Sequence, residues 1–178
     1  MHSIRRHTIN KNTILNGSLI LFIIFSFVLI KQNFITSTKL SDRYLTDQDL
    51  LDKSEFIVEA IVVGKSAVIS YSGAEFITFN LHVKNQVEGA SLENEINVLQ
   101  RIVPNDPTFK LLERGNEYVL FLDEYIGPVA SNAYVICGVN LGKIEVLNDT
   151  VILNSRQKES FKILRLNNRN DLMSRIKK

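Results

Sequence analysis

The spacing of apolar positions is most regular from Ile77 onward. Ile77, Phe79, Leu81, Val83 and Val87 fall on one face of an extended segment, and Thr78, Asn80, His82, Lys84 and Gln86 on the other. This is the two-residue period of a half-buried strand. Tyr71-Ser72-Gly73 just ahead of it predicts a hairpin turn. Further upstream, residues 55–64 (EFIVEAIVVG) are rich in β-branched residues and almost continuously apolar, as a strand covered on both faces would be. Downstream, Glu88-Gly89-Ala90 turns the chain into a strand over 95–103, and Pro104-Asn105-Asp106-Pro107 ends it, since proline has no amide to give to a ladder. Glu113-Arg114-Gly115-Asn116 is a turn before a strand over 118–125, and a further strand is expected over 133–138. KIEVLNDTVIL reads as a last hairpin about Asn148-Asp149, two residue types that tolerate the positive φ of a type I′ turn.

Short helices flank these strands. Thr46 with Asp49 resembles a capping box, and Leu45 with Leu50 can staple it, so LTDQDLLDKSE predicts a helix running into the first strand. At the other end Asn170 is the expected N-cap of DLMSRIKK, whose Leu172, Met173 and Ile176 form one apolar stripe. Six to eight short strands at spacings of roughly 10 to 20 residues leave no room for crossover helices, which predicts a mainly β fold, a small antiparallel barrel with short flanking helices.

One apolar run is of a different kind. Residues 14–30 (ILNGSLILFIIFSFVLI) hold no ionisable group and follow a basic tail with Arg5, Arg6 and Lys11. As a helix they would extend about 26 Å, enough to cross a hydrocarbon core of about 30 Å with local thinning or snorkelling. Cleavage after the run would need small residues, and KQNFITSTK offers only Ile35/Ser37 or Thr36/Thr38. An uncleaved transmembrane signal-anchor is therefore the reading, with a cleaved signal peptide or a buried core helix as alternatives. No cysteine lies near the run, so a lipid-modified cysteine cannot anchor the chain there. The bias of positive charge toward the cytoplasm keeps the tail inside. The expected localisation is a single-pass protein of the cell membrane, with its amino terminus cytoplasmic and its bulk extracytoplasmic.

Charge divides the chain further. The formal net charge is +2. Residues 1–31 carry four Lys/Arg and no acid, residues 32–154 carry 9 Lys/Arg against 17 Asp/Glu, and residues 155–178 carry 8 against 2. The expected organisation is a tail (1–13), a transmembrane segment (14–30), a spacer (31–42), a barrel (43–154) and a basic carboxyl-terminal segment with a short helix (155–178). That last segment could bind anionic lipid, but packing against the acidic barrel is the preferred expectation. The chain has a single cysteine, Cys137, which rules out an intrachain disulfide. Its neighbours AYVICGV read as a buried strand, making it an inert core thiol.

Several stretches together carry a resemblance: Ser54-Glu55-Phe56-Ile57-Val58 leading to Val62-Val63-Gly64; Phe79 to Val83 with Val87-Glu88-Gly89; Ile96-Asn97-Val98; and Leu112-Glu113-Arg114-Gly115-Asn116-Glu117-Tyr118-Val119-Leu120-Phe121-Leu122. On these, most of residues 46–147 resembles the small secreted or membrane-anchored OB-fold-like domains of the netrin-like and tissue-inhibitor-of-metalloproteinase class. The resemblance implies an OB-like barrel and no particular activity. Inhibitors of that class chelate a protease zinc through an amino-terminal cysteine, which this domain lacks at its start.

No metal, nucleotide or nucleophile motif occurs, so no catalytic residue, cofactor or metal site is assigned. His82 falls on a polar strand face and reads as solvated, and Asp123-Glu124 are strand neighbours that point to opposite faces. Asn148-Asp149-Thr150 fits a glycosylation acceptor and a hairpin turn equally well. A nucleic-acid role is opposed by the acidic barrel. The expected function is a non-enzymatic, membrane-anchored interaction module for a protein or other envelope partner outside the cell, with Asn105 and Asp106 in a proline-stiffened loop as its candidate binding residues. The alternatives are an envelope-acting hydrolase and a structural or self-associating envelope protein.

Overall fold

The computed structural model describes residues 46–104, 109–162, 164 and 168–177. The expected tail, membrane segment and spacer (1–13, 14–30 and 31–42) lie outside these. Among the described residues no helix is long and apolar enough to cross a membrane.

The fold is mainly β. Its strands are β1 (Phe56–Lys65), β2 (Ile69–Tyr71), β3 (Ala74–Glu88), β4 (Glu95–Ile102), β5 (Glu117–Glu124), β6 (Ala133–Ile136), β7 (Lys143–Leu147) and β8 (Thr150–Ile152). The helices are α1 (Asp47–Lys53), α2 (Ser155–Ser160) and α3 (Arg169–Ile176). Five strands close a barrel in the order β1-β3-β4-β6-β5 and back to β1. Every pairing in this ring is antiparallel except β4 with β6. The outer edge of β5 is used twice, by β7 opposite residues 117–120 and by β6 opposite residues 122–124. The turns at Ser72-Gly73 (φ 50° and 77°) and Asn148-Asp149 (φ 49° and 60°) have the positive φ pair of type I′ hairpins.

Two apolar cores result. Val58, Ala60, Val62, Ile77, Phe79, Leu81, Val98, Leu120 and Leu122 fill the barrel. Two loops plug it through glutamines. Gln100 Oε1 accepts the Leu112 amide at 2.8 Å and seats Leu112 in the interior. Gln86 Oε1 accepts the Leu92 amide at 2.9 Å and draws Leu92 against the same core. The second core lies outside the ring, where Ile57, Val119, Phe121, Ile144, Val146 and Val151 meet Leu50, Phe161, Leu164, Leu172, Met173 and Ile176. Cys137 is buried in this outer core. Strands β1 and β5 are thus covered on both faces, which explains their continuous apolar runs.

The expected face of Val87 is corrected. Between β1 and β3 the register passes from Ala60↔Val83 to Glu59↔Asn85, and from Val58↔Gln86 to Ile57↔Glu88, leaving Lys84 and Val87 unpaired on β1. Each such bulge adds one residue and exchanges the faces beyond it, so Val87 packs against the outer core while Val83 packs against the barrel interior.

At α1 the capping box of Thr46 and Asp49 is present. Asn154 and Gln157 form another at α2, which the sequence pattern did not predict. The α3 cap is Asn168, not Asn170: its Oδ1 accepts the Asp171 amide at 2.8 Å. Asn168 is held extended by its bridge to Thr150, so the helix begins at the next residue and Asn170 falls inside its first turn.

The carboxyl-terminal segment is tied down by polar side chains. Gln157 Nε2 donates to the carbonyls of Leu141 (2.9 Å) and Lys143 (2.8 Å). Asp47 Oδ2 accepts the Leu164 amide at 2.8 Å. Arg169 grips Glu59 with two bonds, from Nε to Oε1 and from Nη2 to Oε2 at 2.7 Å. The Glu59 side chain is fully buried and that of Arg169 is 29% exposed, so one cation of the basic segment does pack against the acidic barrel. Burial pushes the Glu59 carboxyl up, but the hydrogen bonds from Arg169 and the charges of Arg169 and Lys84 outweigh it and hold it below 4.5.

Candidate functional site

Asn105 and Asp106 lie outside the described residues, but Pro104, which precedes them in the chain, borders a recess at one end of the barrel. On one edge β3 pairs with β1 from Phe79 onward, whereas its residues 74–76 pair with β2. The β2–β3 hairpin and the end of β4 form a rim there. Ser70, Ala74, Glu75, Arg101, Ile102 and Pro104 line a recess of about 380 Å³. Val68 (51% exposed), Ile69 (36%) and Val103 (37%) add exposed apolar surface on the same segments. Glu75 and Arg101 are both exposed, and neither forms an ion pair among the described residues. A second recess, of about 530 Å³, lies where the end of α3 meets β3, lined by Gln86, Val87, Glu88, Ile176 and Lys177.

The other chemistry-bearing residues are dispersed. His82 is exposed and sits in register with Glu95 on β4 and Ile61 on β1. Asp123 is buried on β5, where its Oδ1 accepts the Glu55 amide at 3.2 Å. Its neighbour Glu124 is exposed, and the Glu124 amide donates to Glu55 Oε2 at 2.8 Å. These two acids lie on opposite faces, the Asp123 carboxylate and the Glu124 backbone amide fasten the start of β1, and β3 and β5 are not neighbours in the ring. Asn80 Nδ2 donates to Asn97 Oδ1 at 2.8 Å between β3 and β4. Asn148 and Asp149 form the tip of the last hairpin.

Sequence pattern alone missed Lys143. Only 8% exposed, it donates its Nζ to the Lys110 carbonyl in the segment that plugs the barrel. Burial lowers its ammonium to about 8, against the pull of Glu145 and Glu113 and with a push from Lys110. It also missed Glu75 and Arg101, because only the β3–β4 register, with Glu75 opposite Ile102 and Phe76 opposite Arg101, brings them to one rim. No family model matches the chain, and no curated protein and no solved structure matches it.

Proposed function

We propose that this chain is a non-enzymatic interaction module, an OB-like barrel anchored in the membrane by residues 14–30 that binds a protein or other envelope component outside the cell at the rim beside Pro104. The OB-like reading is supported by the ring order and by its one parallel pair, which joins the third and fifth barrel strands counted along the chain, β4 and β6. OB barrels bind ligands on their second and third strands and on the loops after the first and fourth. The corresponding elements here are β3, β4, the β2 hairpin and residues 125–132.

The observation that carries the binding reading is the recess of about 380 Å³ on those elements, apolar in part and bordered by Glu75 and Arg101. An acidic barrel with a carboxylate at this recess disfavours a phosphate polymer as ligand. The test is a photo-crosslinking residue at position 75 of the full-length protein in its native membrane. An adduct of reproducible mass is expected, reduced by the double change Asn105→Ala and Asp106→Ala. Equal adducts from position 162, on the carboxyl-terminal segment, would overturn the site. Protease added to spheroplasts should remove the barrel, and protection of the barrel would overturn the topology.

A further inference from the structure

We infer that the free edge of β2 accepts an extended polypeptide strand, laid alongside Ser70 with alternate side chains over the rim recess. The inference rests on the module reading for its site and names the partner's chemistry. Among the described residues β2 pairs with β3 and with no other strand. Its two-residue turn is type I′, so Tyr71/Ala74 and Ile69/Phe76 take the hydrogen-bonded positions and Ser70/Glu75 the non-bonded one. The amide and carbonyl of Ser70 therefore point away from β3, and no backbone group among the described residues meets them. Another strand matches the spacing of these groups. The edge is three residues long, which suits one discrete segment better than open-ended stacking.

The side chains point the same way. Ser70, Glu75 and Ile102 are in register across three strands and share the face that lines the recess. Alternate residues of an added strand would fall beside Ser70 on that face. Val68, Ile69 and Val103 offer exposed apolar contacts. Glu75 on this face and Arg101, which shares the opposite face with Ile69 and Phe76, are of opposite sign and form no ion pair among the described residues, so they favour a segment with a basic side chain at the recess positions and an acidic one at an intervening position. A polyanion would meet Glu75, and a lipid surface would leave the strand edge unmet.

The test pans a library of random linear dodecapeptides on the full-length protein and measures the enriched peptides against variants. Proline at an edge position whose amide faces outward removes no bond of its own hairpin. Ser70→Pro should therefore weaken binding about tenfold or more, whereas Ser70→Ala, which keeps the edge amide, should bind within about twofold. Arg101→Glu should shift selection away from acidic peptides. N-methylation along an enriched peptide tests the same point without altering the protein: alternate positions should lose binding and the intervening ones should not. Failure to enrich any peptide, equal binding by Ser70→Pro, or sensitivity without the period of two would overturn the inference. Self-association abolished by Ser70→Pro, in the absence of peptide, would assign the edge to a second copy of the chain and also overturn it. Failure of the module reading is detected separately, as loss of position-75 crosslinks in the membrane.

Discussion

Val58, Ala60, Leu120 and Leu122 look into the barrel, while Ile57, Val119 and Phe121, their neighbours on the same two strands, look into the outer core. The two cores share walls yet are closed by different means. Around the interior, a ring of main-chain pairing holds every wall in place, so the load is spread over many backbone bonds. The outer core has sheet on one side, and its helical side is fastened by a few polar side chains, namely Asp47, Gln157 and the Glu59–Arg169 pair. Apolar burial supplies the cohesion in both; in the barrel single side chains such as Gln100 seat only the loops that plug it, whereas in the outer core they hold the helical wall itself, and their removal strands a buried partner.

Substitutions can break that contrast, and the largest effects are expected from the apolar walls. Phe121→Ala should cost about 3–5 kcal/mol and Leu81→Ala about 2–5 kcal/mol, read from urea unfolding. If the cores form one cooperative unit, each variant shifts a single transition. Two separated transitions in Phe121→Ala alone would show that the outer layer unfolds by itself.

Next is the fastening. Arg169→Ala leaves the fully buried Glu59 carboxylate without its guanidinium. The expected loss is at the lower end of about 3–5 kcal/mol, because Arg169 is partly solvated. Replacing both residues with leucine should recover much of it. Since Glu59 is held below its ordinary 4.5 in the folded state, its contribution is present above the unfolded value and is lost as pH falls through the folded one. The wild-type advantage over the double leucine variant should therefore shrink below about pH 4.5 in acid unfolding. An advantage independent of pH would show that Glu59 is not ionised in its pair.

Lys143 sharpens the comparison on the barrel side. Its folded value of about 8 lies below its ordinary 10.5, so between these the unfolded chain binds more protons and wild-type stability rises with pH. Relative to Lys143→Met the rise should approach about 1.4 kcal/mol per pH unit at most. A flat difference between the two proteins from pH 8 to 10 would show that the ammonium is solvated in the folded protein. The smallest effect is expected at His82, exposed on β3: His82→Ala should change stability by no more than about 0.5 kcal/mol. A larger loss would mean that the outward face of β3 is not the solvent face.

The strands read at 55–64 and from Ile77 to Val87, close to the observed 56–65 and 74–88, the two hairpin turns and the Thr46 capping box were legible from short stretches of chain, because each depends on residues within a few positions of one another. So was the apolar stripe of Leu172, Met173 and Ile176, buried as its helical spacing requires. The cap of that helix was misplaced by two residues because a bridge to Thr150 selects Asn168. The face of Val87 was misread because a bulge is a property of the paired strand, and the pattern on one strand does not contain it. Of the candidate site, the sequence pointed to the stretch that begins at Pro104, while Ser70, Glu75 and Arg101 had no local signal.

The sequence by itself therefore determined the mainly β class, most of the strand and turn positions and which apolar residues are available for burial, since the two-residue period and turn chemistry are set by the local chain. Only the tertiary structure decided that β4 and β6 run parallel to close the ring, that β1 and β5 divide their side chains between two cores, and that Glu59 meets Arg169 across 110 residues of chain. It also decided that, among the described residues, a three-residue strand pairs on one edge alone, beside the recess. Each of these depends on the register between segments far apart in the chain, and register is selected by the joint burial of all the faces it brings together, a quantity that no single stretch of sequence contains.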